Sequence, residues 1–350
     1  MFTIRIALLL LTLVLRTGAA ELIAISNERS GTVSLLRDDD HSLISAIPVG
    51  QRPRGIHASP DGKFIYVALS GTPISGPPQL DADGNPIFKR EDPANSDHSA
   101  DAIGIIDVQK RALVRKIPSG SDPEQFAVSA DGKRLFISNE DIGMVSIVNV
   151  ADGRVESTIE VREEPEGVAL TPDGAHLYVT CETRGEICIV DSRTTQKIGE
   201  LLVPGRPRTV AFLPDGSRAY VPSESKGTVH VIDTTHLKTI KVIQLPPGSR
   251  PMGTAMTRDG RLFVSNGRAG TVSVIDTKGN EVRATIKVGK RPWGVVLSSD
   301  DERLYIANGP SNDISVVDVK TLKEVARIPV GESPWGVTVI PQPLAGASSF

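Results

Sequence analysis

The sequence contains few cysteines and none of the short motifs that identify common enzyme classes. Its two cysteines, Cys181 and Cys188, do not belong to a Cys-x-x-Cys-His segment, so this signature of covalent haem attachment is absent. There is also no Gly-x-Ser-x-Gly elbow, no phosphate-binding loop and no dinucleotide fingerprint. The sequence therefore names no nucleophile.

Patterns of metal ligands are equally scarce. Residues 81–85 resemble the start of a calcium loop but lack its later bidentate glutamate, so an ordinary Asp-Gly turn is the better interpretation. We expect no metal site and no cofactor. No two histidines have a spacing that would bring both to one ion; the six are His41, His57, His98, His176, His230 and His236.

Long apolar runs are absent after residue 20. Residues 1–20 combine Arg5, an apolar run over 7–15 and three small residues at 18–20, which predicts a cleaved secretory signal, with an uncleaved anchor as the alternative. We therefore expect a periplasmic or secreted protein without membrane insertion. In that oxidising compartment the two cysteines either form a hairpin disulfide or remain buried thiols.

Excess charge is also lacking. The formal net charge is −3, and loss of Arg5 and Arg16 with residues 1–20 makes it −5. This mild acidity argues against non-specific binding to nucleic acid or anionic lipid.

The sequence is rich in repeats. Asp-Gly pairs at 131, 173, 215 and 259 are 42, 42 and 44 residues apart, and Asp300-Asp301 follows 41 residues later. Each unit contains four short apolar or alternating runs, A to D, which is typical of a four-stranded propeller blade. We predict an all-β, seven-bladed β-propeller over residues 21–344, followed by a tail at 345–350. The predicted A strands are 55–59, 125–129, 167–171, 209–213, 253–257, 294–298 and 336–340.

The two ends of the chain supply complementary parts of one blade. The N-terminal part provides strands B, C and D at 22–26, 32–36 and 42–49, and the C-terminal part provides only a strand A. We expect the last strand to complete the first blade, which would remove an open sheet edge. A monomer is expected.

One segment departs from the repeat. The Asp-Gly pairs at 61 and 131 are 70 residues apart, about 28 more than one repeat. The excess lies between strands B and C of the second blade, and its prolines and glycines indicate an irregular loop at 70–100. We expect this loop to act as a lid or docking arm.

The repeated segments resemble those of a known family. Its Val-Ser-Val-Ile-Asp segments are similar to the YVTN family of seven-bladed propellers. Segments such as GQRPRGI, DPEQFAVS, EPEGVAL and PWGVTV resemble, more narrowly, periplasmic propellers associated with catabolism dependent on pyrroloquinoline quinone. The resemblance implies an accessory or binding protein of quinoprotein oxidation systems. It does not imply that this chain binds the quinone.

The strongest candidate site is a ring at the start of the A strands. Alternating strand direction brings these starts, the D–A connections and the B–C turns to one face of a propeller. Residue types in the ring change by sector, from acidic to basic to aromatic, which suits a ligand or partner site. The residue after each strand A proline is Arg54, Glu124, Glu166, Arg208, Met252, Trp293 or Trp335. The residue before it is Arg52, Asp122, Glu164, Arg206, Arg250, Arg291 or Ser333.

A structural alternative has equal weight. The tryptophans can plug the channel, and the arginines can pair with the glutamates in a closed network. The B–C turns on the same face are interpreted as turn formers that bond their own backbone. These turn residues are Asn27, Glu28, Asn139, Glu140, Glu182, Glu224, Asn266 and Asn308.

The leading functional prediction is a non-catalytic binding or scaffold propeller, accessory to a redox or transport system, whose partner is an unknown small molecule or periplasmic protein. The first alternative is a lactonase-like hydrolase that uses the Glu and Arg cluster at the channel mouth. The second is a nucleic-acid-binding propeller, which the net acidity disfavours. A catalytic carboxylate should have a pKa raised by burial, whereas a paired one should have a lowered pKa. The candidates are Glu124, Glu164 and Glu166.

Overall fold

The computed structural model describes residues 21–74, 79–80, 86–87 and 95–341. The predicted signal at 1–20, the tail at 345–350, the turn at 81–85 and much of the 70–100 insertion lie outside the described residues. Within them, no helix is long and apolar enough to span a bilayer.

The described chain consists almost entirely of short strands. The first nine are β1 (Leu22–Asn27), β2 (Thr32–Arg37), β3 (Leu43–Pro48), β4 (Ile56–Ala58), β5 (Phe64–Leu69), β6 (Gln79–Leu80), β7 (Pro86–Ile87), β8 (Ala102–Asp107) and β9 (Ala112–Ile117). Then follow β10 (Pro123–Val128), β11 (Arg134–Asn139), β12 (Met144–Asn149), β13 (Val155–Glu160), β14 (Pro165–Leu170), β15 (His176–Cys181), β16 (Glu186–Asp191), β17 (Lys197–Leu202), β18 (Ala211–Phe212), β19 (Arg218–Ser223), β20 (Thr228–Asp233) and β21 (Lys238–Gln244). The last are β22 (Pro251–Met256), β23 (Arg261–Asn266), β24 (Thr271–Asp276), β25 (Glu281–Lys287), β26 (Pro292–Leu297), β27 (Arg303–Asn308), β28 (Asp313–Asp318), β29 (Lys323–Pro329) and β30 (Pro334–Ile340). Short 3-10 helices cover His98–Ala100, Glu140–Ile142 and Gly309–Ser311.

Twenty-eight of the thirty described strands form seven four-stranded antiparallel sheets, which confirms the predicted seven-bladed propeller. The other two, β6 and β7, pair with each other within the insertion. Blade 1 has the order β3-β2-β1-β30, blade 2 is β4-β5-β8-β9, and blades 3 to 7 use consecutive sets of four strands from β10 to β29. In blade 1, β30 pairs with β1 from Leu22 opposite Ile340 to Asn27 opposite Pro334. The last strand therefore completes the first blade.

Burial changes from the inside of each blade to its outer edge. Strand B of blade 3, β11, is buried at every position after Arg134, whereas the outermost strand, β13, is exposed at most positions. The apolar clusters join neighbouring blades: one contains Tyr66 and Ile105 of blade 2 together with Phe126 and Ile137 of blade 3. The core is thus a set of layers between blades, which is why the inner strands are almost continuously apolar.

The Asp-Gly repeat has a local cause in the turn between strands A and B. In blade 3, the Ser129 hydroxyl donates to Asp131 Oδ1 at 2.7 Å, and the same oxygen accepts the Lys133 amide at 3.1 Å. Gly132 follows with a φ of 69°, a left-handed conformation that glycine adopts at little cost. Equivalent hydroxyl–aspartate bonds recur at Thr171–Asp173 and Ser298–Asp300.

The two cysteines are neighbours in blade 4 and do not form a disulfide bond. Both are buried, and their Sγ atoms are 4.0 Å apart. Cys188 lies opposite Val179 and Cys181 opposite Glu186, so the two residues are diagonal neighbours across β15 and β16. Of the two alternatives left open by the sequence, this structure contains the buried thiols.

Candidate functional site

A backbone turn repeated in all seven blades directs side chains to one channel mouth. The residue before each strand A proline has a positive φ, between 44° at Arg52 and 64° at Arg206. Such a conformation costs roughly 1 kcal/mol or more for a non-glycine residue. Because the same turn occurs in every blade, the predicted ring is a regular feature of the backbone.

In several blades a strand B hydroxyl group donates a hydrogen bond to the backbone carbonyl of the ring residue in the next blade. Ser138 donates to the carbonyl of Glu166 at 2.9 Å, Thr180 to that of Arg208 at 2.7 Å, and Ser265 to that of Trp293 at 2.6 Å. The glycine after each of several ring residues permits this approach, since a Cβ on Gly167 would lie 2.0 Å from the Arg208 carbonyl oxygen. The ring backbone is therefore fixed by bonds between blades.

Arginines and carboxylates of blades 1 to 3 form a first charged network. Glu28 Oε1 accepts bonds from Arg54 Nε at 2.8 Å and from Arg52 Nε at 3.3 Å. Arg54 also contacts Glu124, and Arg52 Nη1 lies 3.2 Å from Asp122 Oδ1. Burial alone would raise the pKa of Glu28, but the two guanidinium groups outweigh it and hold that pKa below its ordinary value.

A second network is centred on Arg208 in blade 5. Its guanidinium lies 3.0 Å from Glu166 Oε1 and 2.6 Å from Glu224 Oε2, and it also contacts Glu182. Arg206 contacts Glu182 as well. Burial opposes ionisation of Glu224, yet Arg208 and Arg206 hold its pKa below the ordinary value. Removing one partner would leave buried charges unpaired, which is costly.

The two tryptophans of the chain form a stacked pair between these networks. Trp293 and Trp335 have ring centroids 5.5 Å apart and an interplanar angle of 28°. Arg54 lies over Trp335 at 5.7 Å from the ring centroid, and Arg208 and Arg291 lie over Trp293 at 5.7 and 5.1 Å. The stacked tryptophans and the paired arginines therefore meet at one mouth of the channel.

One carboxylate in this region has no cationic group within ion-pair distance among the described residues, although Arg54 and Arg52 act on it from further away. Glu140, at the B–C turn of blade 3, forms no ion pair with any described residue and is only partly exposed. Burial raises its pKa to about 7, and the like charges of Glu166 and Asp122 add to this effect. Full burial likewise raises the pKa of Glu182 despite its contacts with Arg208 and Arg206. Glu140 is thus a carboxyl that titrates near neutral pH.

Carboxylate oxygens of Asp122, Glu124 and Glu140 all lie within 4.8 Å of one another, close enough to share one cation. Arg52 and Arg54 contact the first two, so guanidinium groups already supply positive charge to this cluster. We assign no metal to it.

The structure brings together most residues predicted for the site, and ligand binding by them stays a prediction. Glu124, Glu166, Arg208, Met252, Trp335 and Arg52 are buried. Arg54, Trp293, Arg206 and Arg250 are partly exposed, and Arg291 is exposed. Neither Arg250 nor Arg291 forms an ion pair with a described carboxylate.

The interpretation of the B–C residues as turn formers is incomplete, because several of their side chains bond partners outside the turn. Glu28, Glu182 and Glu224 are the partners of the ring arginines. Asn139 Nδ2 donates to Ser146 Oγ at 2.8 Å, a cross-strand bond repeated at Asn266 and Ser273. A comparison of the residue after strand B in all blades could have revealed the acidic sector.

The described ends of the insertion lie against the same face. Asp101 accepts the backbone amides of Gly71 at 2.8 Å and Asp122 at 3.1 Å. Ser96 and Thr72 share a hydroxyl bond of 3.2 Å. These contacts place the base of the insertion next to the first charged network.

Burial predicts unequal structural roles for the two tryptophans. Trp335 is 5% exposed, so Trp335→Ala should lower the free energy of unfolding by about 3 kcal/mol. Trp293→Ala should cost less, because Trp293 is partly exposed. Thermal or urea unfolding of both variants checks this order, and equal small losses would contradict a structural role for Trp335.

Two sequence families match parts of the chain. The family described as "Lactonase, 7-bladed beta-propeller" matches residues 20–170, and "Cytochrome D1 heme domain" matches residues 219–335. Each covers less than half of the chain. No curated protein matches it.

Solved structures share the fold at low identity. A "putative 6-phosphogluconolactonase" from Bacteroides fragilis is 18% identical with a TM-score of 0.72, covering 93% of this chain and 99% of its own. Hydrazine synthase of Kuenenia stuttgartiensis is 20% identical with a TM-score of 0.70, covering 84% and 91%. The dihydro-heme d1 dehydrogenase NirN in complex with DHE is 16% identical with a TM-score of 0.62, covering 92% and 76%.

These similarities correct the leading functional prediction. The lactonase family match and the 6-phosphogluconolactonase and NirN neighbours contradict a non-catalytic scaffold and favour the lactonase-like alternative. They do not support the narrower resemblance to quinone-associated propellers. The chain is a seven-bladed β-propeller with similarity to lactonases and to cytochrome d1 haem domains.

Proposed function

We propose that this protein hydrolyses a lactone that carries an anionic group, and that Glu140 is the general base. The observation that carries this proposal is the pKa of Glu140, raised to about 7 by burial and by nearby carboxylates. A base is most effective when its pKa lies near the working pH. Strongly shifted carboxyls in such settings are candidates for catalysis.

The chemistry requires only water and the residues at the mouth. Ionised Glu140 takes a proton from water, and the hydroxide oxygen forms a bond to the lactone carbonyl carbon. The positive charges of Arg54 and Arg52, which act on Glu140, can stabilise the oxyanion. The ring C–O bond then breaks, and protonated Glu140 returns its proton to the departing alkoxide, so the products are a hydroxy acid and the regenerated base.

Charge on the rim supports an anionic substrate. Arg291 is exposed and lies over Trp293, and neither it nor Arg250 pairs with a described carboxylate. Guanidinium groups bind phosphate and carboxylate through paired hydrogen bonds. The similarities to lactonases favour lactone hydrolysis as the reaction. The rim arginines, Arg250 and Arg291, favour a substrate with negative charge.

The proposal predicts a characteristic pH dependence. For 6-phosphogluconolactone, kcat/KM should rise about tenfold per pH unit below 7 and level off above it, because only ionised Glu140 accepts the proton. The measurement is a pH-stat assay between pH 5.5 and 8, corrected for spontaneous hydrolysis. Uncharged glucono-δ-lactone should react with a lower kcat/KM. Added salt should reduce the difference in kcat/KM between the two lactones, because it screens the attraction between the arginines and the phosphate.

Two outcomes would contradict the proposal. Hydrolysis of both lactones at the spontaneous rate would show that the mouth is not a lactonase site. A rate that falls as the pH rises through 7 would exclude Glu140 as the base.

A further inference from the structure

Beyond the ring, the central channel continues as a cavity of about 550 Å³. Its walls come from the A strands of all seven blades, and ring residues form one end. The volume lies within the ~300–1,000 Å³ typical of small-molecule sites. The ring residues at that end are Glu166, Arg208, Met252, Trp293 and Trp335.

The cavity offers little to a charged ligand. Its walls include Ile56, Val168, Val210 and Val295. The charged groups that line it in the described chain, Glu166 and Arg208, belong to the Arg208 network and lie 3.0 Å from each other. Bringing a further charge into this space would be unfavourable without a free partner.

Two polar side chains break the repeat on one wall. At the repeat position of His57, blades 3 to 6 carry alanine, and at that of Gln125, five other blades carry glycine. Both residues line the cavity, and the Gln125 side chain is close enough to the His57 ring to act on its pKa. His57 also packs edge-on against Phe126, with ring centroids 4.9 Å apart. Where the other blades mostly have a small residue at these two positions, this wall of the cavity has two neighbouring polar side chains.

The histidine of this pair is uncharged near neutral pH. Burial lowers its pKa to about 4, although the neighbouring Gln125 carboxamide acts in the opposite direction. A neutral imidazole and a carboxamide together offer both donors and acceptors to a ligand edge.

We propose that the channel is a binding site for an uncharged, planar aromatic molecule that carries a polar edge of carbonyl and N–H groups. The His57 and Gln125 side chains recognise that edge, the apolar strands enclose the ring system, and the Trp293–Trp335 pair provides an aromatic surface at the end of the cavity. Glu140, Arg250 and Arg291 do not line this cavity. The site is therefore distinct from the proposed hydrolytic mouth.

Lumichrome is a suitable probe because it is an uncharged planar tricycle with two ring carbonyls. Both tryptophans of the chain lie at the cavity, so binding should quench their fluorescence. Titration of the full-length protein at neutral pH should give a saturable decrease that persists in high salt, since no ion pair is involved.

Variants that introduce the residue found at the same repeat position in other blades should fold normally. His57→Ala and Gln125→Gly should each weaken lumichrome binding by about five- to tenfold, the usual loss for one or two hydrogen bonds. Ala169→Phe, which places a ring in the cavity, should abolish quenching. The matched control is Thr338→Ala, a change to alanine at the same repeat position as His57 in a blade where that residue does not line the cavity.

The outcomes separate this proposal from the hydrolytic one. Weaker binding in His57→Ala and Gln125→Gly, with normal binding in Thr338→Ala and Arg291→Ala, would support the channel site whether or not the protein hydrolyses lactones. Absence of quenching, equal binding in all variants, or loss confined to Arg291→Ala would overturn it. Unchanged melting of the alanine and glycine variants excludes a folding defect.

Discussion

Glu140→Gln should reduce kcat for lactone hydrolysis by about 10²–10⁴-fold, the usual contribution of a general base. The amide is close to the carboxylate in shape but accepts no proton, so the attacking water is no longer activated. The Michaelis constant should change little, because the rim arginines remain. Steady-state kinetics with 6-phosphogluconolactone at pH 8 give both values.

The same substitution should stabilise the fold at pH 8. The pKa of Glu140 is raised from 4.5 to about 7, so the folded state favours the protonated form. The stability this group contributes is fully present below pH 4.5 and is lost as the pH rises through 7. Above that pH the ionised side chain costs about 3 kcal/mol, which the neutral amide avoids. A higher melting temperature at pH 8, but not at pH 4.5, is expected.

Glu163→Gln is the matched control. It removes one negative charge from an exposed residue in a D–A connection of the same face. It should leave both activity and the pH dependence of melting unchanged. A Glu140→Gln variant with full activity would refute its role as base, and one that melts lower at pH 8 would refute the burial of an unpaired charge.

Truncation before Pro334 should lower the free energy of unfolding by about 5 kcal/mol or more. The deletion removes β30, the only partner of β1 on that side, and with it the buried side chains of Trp335, Val337 and Ile340. Each large apolar side chain contributes about 1.5–3 kcal/mol, and the exposed edge of β1 would also lose its ladder. Thermal melting and size-exclusion chromatography measure the loss.

Truncation after Pro341 is the corresponding control, since it leaves the whole of β30 in place. It should melt like the full chain. If the two truncated proteins melt within a few degrees of each other, the contribution of the closing strand to stability is much smaller than its burial implies.

The blade number and the closure could be predicted from sequence because each blade has its own turn and strand signals. The A strands were less predictable in detail. In several blades they begin at the proline itself, because a bulge follows it; one lies between Pro123 and Phe126. In blade 5 the strand is reduced to β18, which pairs with Ala219 and Tyr220. Pro222, further along strand B, has no N–H to donate.

The ring could be predicted because it occupies one repeat position, and so could its pairing with Glu124 and Glu166, but the pairing with glutamates of the B–C turns was not recognised. Glu28 and Glu224 occupy turns, where acidic residues are common, and their pairing depends on the reach of arginines from other strands. The pKa of Glu140 depends on its burial and on the charged side chains that the fold brings around it. His57 was noted only as one scattered histidine, because its position beside Gln125 on the cavity wall arises only when adjacent blades pack.

The pairing of Leu22 with Ile340 also sets the order in which the molecule can assemble. Blades 2 to 7 are local units that can form as the chain emerges from the ribosome, but blade 1 needs the earliest and the latest residues together. Until then β1 presents a free edge, and such edges expose nascent chains to aggregation. Joining segments so distant in sequence is entropically slow. We therefore expect closure of the propeller, the pairing of β30 with β1, to be the last and slowest folding step. Assistance by a chaperone should matter most before that step.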